Sequence, residues 1–165
     1  MRKLLPQTAF AIVSSLAVGG LLTIAPLPAS AANTTAFCKD VATITKVPTP
    51  TLPTSNSLSA IAKAVSLLPT DVTTLDKLHT QLAAGAAAAP SSALASVYRV
   101  AATQVNNEGS DVSSIIKDER ALLTSPKNYS FELALVSDLI SATTAAATAN
   151  AYLSVDHASV LRACK

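Results

Sequence analysis

The sequence predicts an all-α fold, an antiparallel helical bundle of five to six helices closed by one disulfide between its ends. Three observations predict it. Apolar residues recur at spacings of three and four between the prolines, and no stretch alternates as a half-buried strand would. The composition is half hydrophobic yet only 4% aromatic, so the seams between helices are built from alanine and aliphatic side chains. The two cysteines, Cys38 and Cys164, stand near opposite ends of the chain.

Residues 1–31 are set apart before the fold is considered. Arg2 and Lys3 precede an apolar run from about Ala9 to Ile24, followed by "PLPASA", in which Ala29 and Ala31 occupy the small-residue positions of an A-x-A cleavage site. This is the order of a secretory signal peptide. The run is short for a membrane span and is interrupted by Gly19-Gly20, so no transmembrane anchor is expected after cleavage. Phe37 before Cys38 is too bulky for lipoprotein processing. Residues 32–165 are then a single helical-bundle domain, long enough to bury a core.

Within that domain the prolines punctuate helices. In "TTAFCKDVATITK" Phe37, Val41 and Ile44 share one face, with Thr34 or Thr35 as N-cap. The Pro-rich stretch 47–56 is expected to be an extended linker between the first and second helices, because proline fixes φ and biases the residue before it away from the helix. Leu58, Ile61, Val65 and Leu68 define the next helix. After Pro69, Val72, Leu75, Leu78 and Leu82 define another, capped by Thr70 or Asp71. A helix carrying Leu94, Tyr98, Ala101 and Val105 starts at Pro90-Ser91-Ser92, and "NNEGSD" is expected to stop it, with Gly109 in the left-handed position after the last turn. "DVSSIIKDERALL" supplies a further helix. The last runs from Phe131 nearly to the end, with Leu139, Thr143, Ala146, Asn150, Leu153, His157, Val160 and Cys164 in heptad spacing. Its Thr-rich centre, "SATTAAATANA", is the place where a bend is expected.

Composition excludes some functions. Taking Arg2 and Lys3 from the twelve basic residues leaves ten against ten acidic ones, a formally neutral domain. It has neither a basic stripe for a phosphate backbone nor an aromatic platform for bases, so no nucleic-acid partner is expected. Only Gly85 and Gly109 lie beyond residue 31, too few for a glycine-rich phosphate cradle, and neither G-x-S-x-G nor H-E-x-x-H occurs. No metal and no cofactor is implied. An exported chain with two cysteines pairs them, and no C-x-x-C or Cys/His cluster suggests a redox or metal role. Closing a loop of this length stabilises the fold by about 5 kcal/mol in the chain-entropy model.

The candidate site residues are polar groups on apolar faces. His79 lies among Leu75, Leu78 and Leu82, and His157 among Leu153, Val160 and Leu161. Glu119 stands three residues after Ile116 and four before Leu123, near the middle of its helix's stripe. A buried carboxylate is costly without a partner. Glu119 therefore either meets water where the stripe opens, forms a polar pair that fixes helix register, or joins His79 or His157 at a polar spot inside an apolar pocket. Such a spot would hold a small apolar ligand or a metal, and adding Tyr98 or Tyr152 to it would make the protein a haem carrier. A hydrolase would need Glu119 and His157 in one cleft.

The segments "FCKDV", "PTDVTTLDKLHTQLAAGAAAAP" and "AYLSVDHASVLRACK" together resemble the small alanine-rich helical proteins exported by actinobacteria. In these a cysteine follows the signal peptide, a proline-started helix leads to an A-A-A-P break, and a final helix ends in a tyrosine and a cysteine. The Pro-rich linker departs from that layout. The resemblance implies an exported bundle at the cell envelope or in the medium and carries over no site residue. The expected role is non-enzymatic, binding a protein or envelope partner or serving a structural purpose.

Overall fold

The computed structural model describes residues 31–44, 46–51, 53, 57–127 and 129–164, with the side chains at 31–34, 129, 155–159 and 161–163 outside that description. The expected signal peptide falls outside the described residues apart from Ala31. Four helices are present among the described residues: α1 (Ala31–Val41), α2 (Leu58–Ala88), α3 (Ser92–Thr124) and α4 (Tyr129–Ala163). No strand occurs among the described residues.

The helix number is smaller than the five to six expected because two breaks are overridden. Pro69 lies inside α2, and Gly109 lies inside α3 instead of terminating it. In both places the buried stripe continues without a change of register. In α2 it runs through Ile61, Ala64 and Leu68 and resumes at Leu75, Leu78 and Leu82. In α3 it passes from Ala101, Ala102 and Val105 through Glu108 and Gly109 to Val112 and Ile115. Local propensity costs about 1 kcal/mol for a glycine and about 3 for a proline inside a helix, and tertiary burial of a whole stripe outweighs both. Helix α4 also runs unbroken through its threonine-rich centre, where Thr143, Thr144 and Thr148 donate to carbonyls four residues back. The serines cap as their chemistry suggests: the Ser57 hydroxyl accepts from the Ala60 amide and that of Ser91 from the Leu94 amide. Helix α1 begins at Ala31, so Thr34 and Thr35 lie within it and do not cap it.

The three long helices span about 46 to 52 Å each at 1.5 Å per residue. α2 and α3 run antiparallel. His79 faces the Ala102 carbonyl, and a side chain at Gly85 would touch Tyr98 while one at Gly109 would touch Leu75. α3 packs on both α2 and α4, and α1 on α2. The N-terminal part covers one half of this layer. Val41 meets Gly85 so closely that an added Cβ would come within 2.7 Å of the valine methyl. Beyond α1, Ile44, Val47 and Pro50 are buried. The Asn150 side chain of α4 receives the Val47 amide at 2.9 Å and donates to the Val47 carbonyl at 3.0 Å, which satisfies both backbone polar groups of that residue. The Thr51 amide donates to Asp71 of α2 at 2.9 Å. The described part of the Pro-rich stretch forms no helix and is docked on α4 and α2.

The expected disulfide is present. Cys38 of α1 and Cys164 after α4 are bonded across a sequence separation of 126, with their Cα atoms 5.4 Å apart. It ties the first helix to the last at the end of the bundle that α1 covers.

Candidate functional site

The structure places the candidate polar groups at separate levels of the bundle. His79 is half-buried on α2, its Nδ1 2.9 Å from the Ala102 carbonyl oxygen. Along α3 that level is about 26 Å from Glu119. Tyr98 is fully buried near the disulfide end and meets Phe37 edge to face, the ring centroids 5.2 Å apart. Tyr152 is 37% exposed on α4, on the outside of the layer. The His157 side chain lies outside the described residues, but its position on α4 is fixed by the backbone. The Ser141 hydroxyl donates to Asp111 and sets the level of α4 against α3. From that level Glu119 and position 157 lie in opposite directions, roughly 36 Å apart along the axis. Glu119 therefore shares no spot with either histidine position.

What the structure brings together is a line of acids on α3. Glu119 is fully buried, and neither of its carboxylate oxygens has a hydrogen-bond partner. Glu108 is in the same state three helical turns earlier, on the same stripe. Between them lie Val112 and Ile115, both completely buried. Burial pushes the Glu108 carboxyl up from 4.5 to about 8, with Asp71 of α2 and Asp111 of α3 adding negative charge nearby. Burial alone pushes Glu119 up from 4.5 to about 7. Asp138 on α4 is raised by burial and then by the charges of Asp118 and Asp111. A low-dielectric site disfavours the charged form of an acid, and neighbouring carboxylates disfavour it further. At neutral pH Glu108 is accordingly held mainly as the neutral acid.

Glu108 is the residue that the sequence reading passed over. It stands inside "NNEGSD", which looks like a polar stop. Its signal is the unbroken stripe: Val105, Glu108 and Val112 follow at three and four residues.

Two protonatable groups in an apolar seam can store protons and couple the packing of α3 to pH. Metal binding is a separate question, and among the described residues no three His, Cys, Asp or Glu side chains stand where they could hold an ion. A shallow depression of about 290 Å3 lies elsewhere, between the 43–48 segment and α2. Its lining includes Ile44, Lys46, Thr74 and Lys77, and Gln81 bridges its rim by donating to Thr43. Neither the buried acids nor His79 lines it. No described helix is long and apolar enough to cross a membrane. Compared with family models, curated proteins and solved structures, the chain matches none of them.

Proposed function

We propose that this is an exported helical-bundle protein with a non-enzymatic role, binding a protein or envelope partner or serving a structural purpose at the cell envelope or in the medium. The observation that carries this reading is the Cys38–Cys164 disulfide, which joins the first and last helices of one bundle. Such bonds persist in oxidising compartments and are rare in the cytosol. The signal-peptide pattern of residues 1–31 and the resemblance to exported actinobacterial proteins agree with it. The distance between Glu119 and both histidine positions supports a binding or structural role over acid–base hydrolysis, since a general acid and base must reach the same substrate atoms.

The test is the fate of the full chain in an actinobacterial host. The expected product is residues 32–165, outside the cytoplasm, with the intact mass lowered by two hydrogens for the disulfide. A cytoplasmic chain that retains its first 31 residues, or one with two free thiols, overturns the reading. Native mass spectrometry of the same material distinguishes the roles. An added protein mass identifies a partner, whereas a small retained ligand replaces this reading with that of a carrier.

A further inference from the structure

Helix α4 differs from its neighbours on the side that faces solvent. The outer faces of α2 and α3 carry charges, among them Lys63, Asp76 and Lys77 on the first and Arg99, Lys117 and Arg120 on the second. From Leu133 to Ser154 every described exposed residue of α4 is uncharged. Leu133, Val136 and Ile140 are 73%, 48% and 57% exposed and stand at spacings of three and four. A helix that is apolar on its outer as well as its inner face is expected to be covered on both.

The hydroxyls on this face do not make it polar in the sense that matters for burial. Thr144 donates to the Ile140 carbonyl at 2.7 Å, Thr148 to the Thr144 carbonyl at 2.8 Å, and Ser154 to the Ala151 carbonyl at 2.9 Å. Each donor is satisfied within its own helix, so covering it leaves no unpaired proton donor.

We infer that this face pairs with the same face of a second copy, α4 against α4 in antiparallel orientation about a two-fold axis near Thr143 and Thr144. The argument is complementarity of size along the helix. The first half of the face is large, with Leu133, Val136 and Ile140; the second half is small, with Ala147, Ala151 and Ser154. Reversed against itself about that axis, the helix sets Ile140 beside Ala147, Val136 beside Ala151 and Leu133 beside Ser154 of the other copy. The two helices then keep one separation over roughly 32 Å. A parallel pair would set large against large at one end and small against small at the other, and would splay. Charge does not oppose the pairing: Asp138, the one charged residue of α4 between 133 and 154, is half-buried on the side of Asp118 and Asp111 of α3, away from this face. Two-fold pairing of one surface with itself is the commonest way for identical chains to associate. A strip one helix wide lies at the small end of specific interfaces, so the dimer is expected in the micromolar range.

Sedimentation equilibrium of the purified, oxidised chain over a concentration series tests this. The expected result is a monomer–dimer equilibrium. Ile140→Lys should weaken it about 100-fold or more, because a charge is then buried without a partner. Ile140 is more than half exposed in the monomer, so this variant should retain the helical circular dichroism and melting of the parent. Adding Ala147→Glu to Ile140→Lys should restore the dimer, since only the antiparallel pairing sets position 147 beside position 140. A monomer at every concentration overturns the proposal, as does a dimer that Ile140→Lys leaves intact. A folded Ile140→Lys monomer that Ala147→Glu fails to rescue overturns the antiparallel register.

Discussion

Glu108 and Glu119 each bury a carboxyl group to which no protein group hydrogen-bonds, and the consequence is a stability that falls as pH rises. In the unfolded chain both carboxyls lose their protons near 4.5, whereas in the folded chain they hold them to about 8 and about 7. Between those values unfolding releases protons, so raising the pH favours the unfolded state. The contribution of these groups is fully present below pH 4.5 or so. It declines by about 1.4 kcal/mol per pH unit for each carboxyl until the folded-state values are passed. Replacing both by glutamine should leave stability at pH 5 nearly unchanged and raise it by several kcal/mol at pH 8.5, flattening the profile. Urea unfolding of the parent and of Glu108→Gln/Glu119→Gln at the two pH values checks this, and parallel profiles would count against it. Glu119 was visible in the sequence because aliphatic residues surround it at helical spacing. Glu108 was not, because asparagines and a glycine beside it look like a turn. What separates the two cases is neighbouring polarity, which says little about a position whose own turn is dictated by packing three residues either side.

At the level of the helix, the residues that usually end one are here held inside by burial. Pro69 keeps its place on the exposed side of α2 while Leu68 beside it is completely buried. Pro69→Ala should therefore stabilise the protein, by up to about 3 kcal/mol, measured as a rise in melting temperature. The two helical glycines should respond in opposite directions. An alanine at 109 would place its Cβ 3.8 Å from that of Leu75, an ordinary contact, and should gain about 0.5–1 kcal/mol from helix propensity. An alanine at 85 would strike Val41 at 2.7 Å and should cost about 1–3 kcal/mol by lifting α1 from α2. Chemical denaturation of the two variants side by side checks the contrast. The sequence showed where apolar stripes lie but not that adjacent stripes share one register, because a proline or glycine signal is local and register is a property of the partner helix. The same reasoning explains Asn150. A polar residue in a heptad seam is legible as unusual, but its partner is the Val47 backbone, more than a hundred residues away.

For the molecule as a whole, the disulfide and the N-terminal segment strengthen one half of the bundle. Phe37, Val41, Ile44 and Val47 are buried there, and Cys38 and Cys164 close it. The half built from the early turns of α2 and α4 shows Leu58, Leu67, Leu133, Val136 and Ile140 to solvent. Reduction, or Cys164→Ser, should cost about 2–5 kcal/mol, and hydrogen exchange should rise first in α1 and the last turns of α4. Equal protection of both halves after reduction would refute that order. The all-helical class and the cysteine pairing were legible because periodicity and cysteine count are carried by the chain itself. The number of helices and the separation of Glu119 from the histidines were not, since both depend on which turns face each other.

The Cys38–Cys164 bond also changes what a cut can do. With its two cysteines joined, the chain from 38 to 164 is a covalent ring, and the connections at 42–57, 89–91 and 125–128 are arcs of it. A protease that severs any one of them opens the ring but releases no fragment. The nicked protein remains one molecule with its helices still tethered, and a second cut or a reductant is needed before any piece can leave.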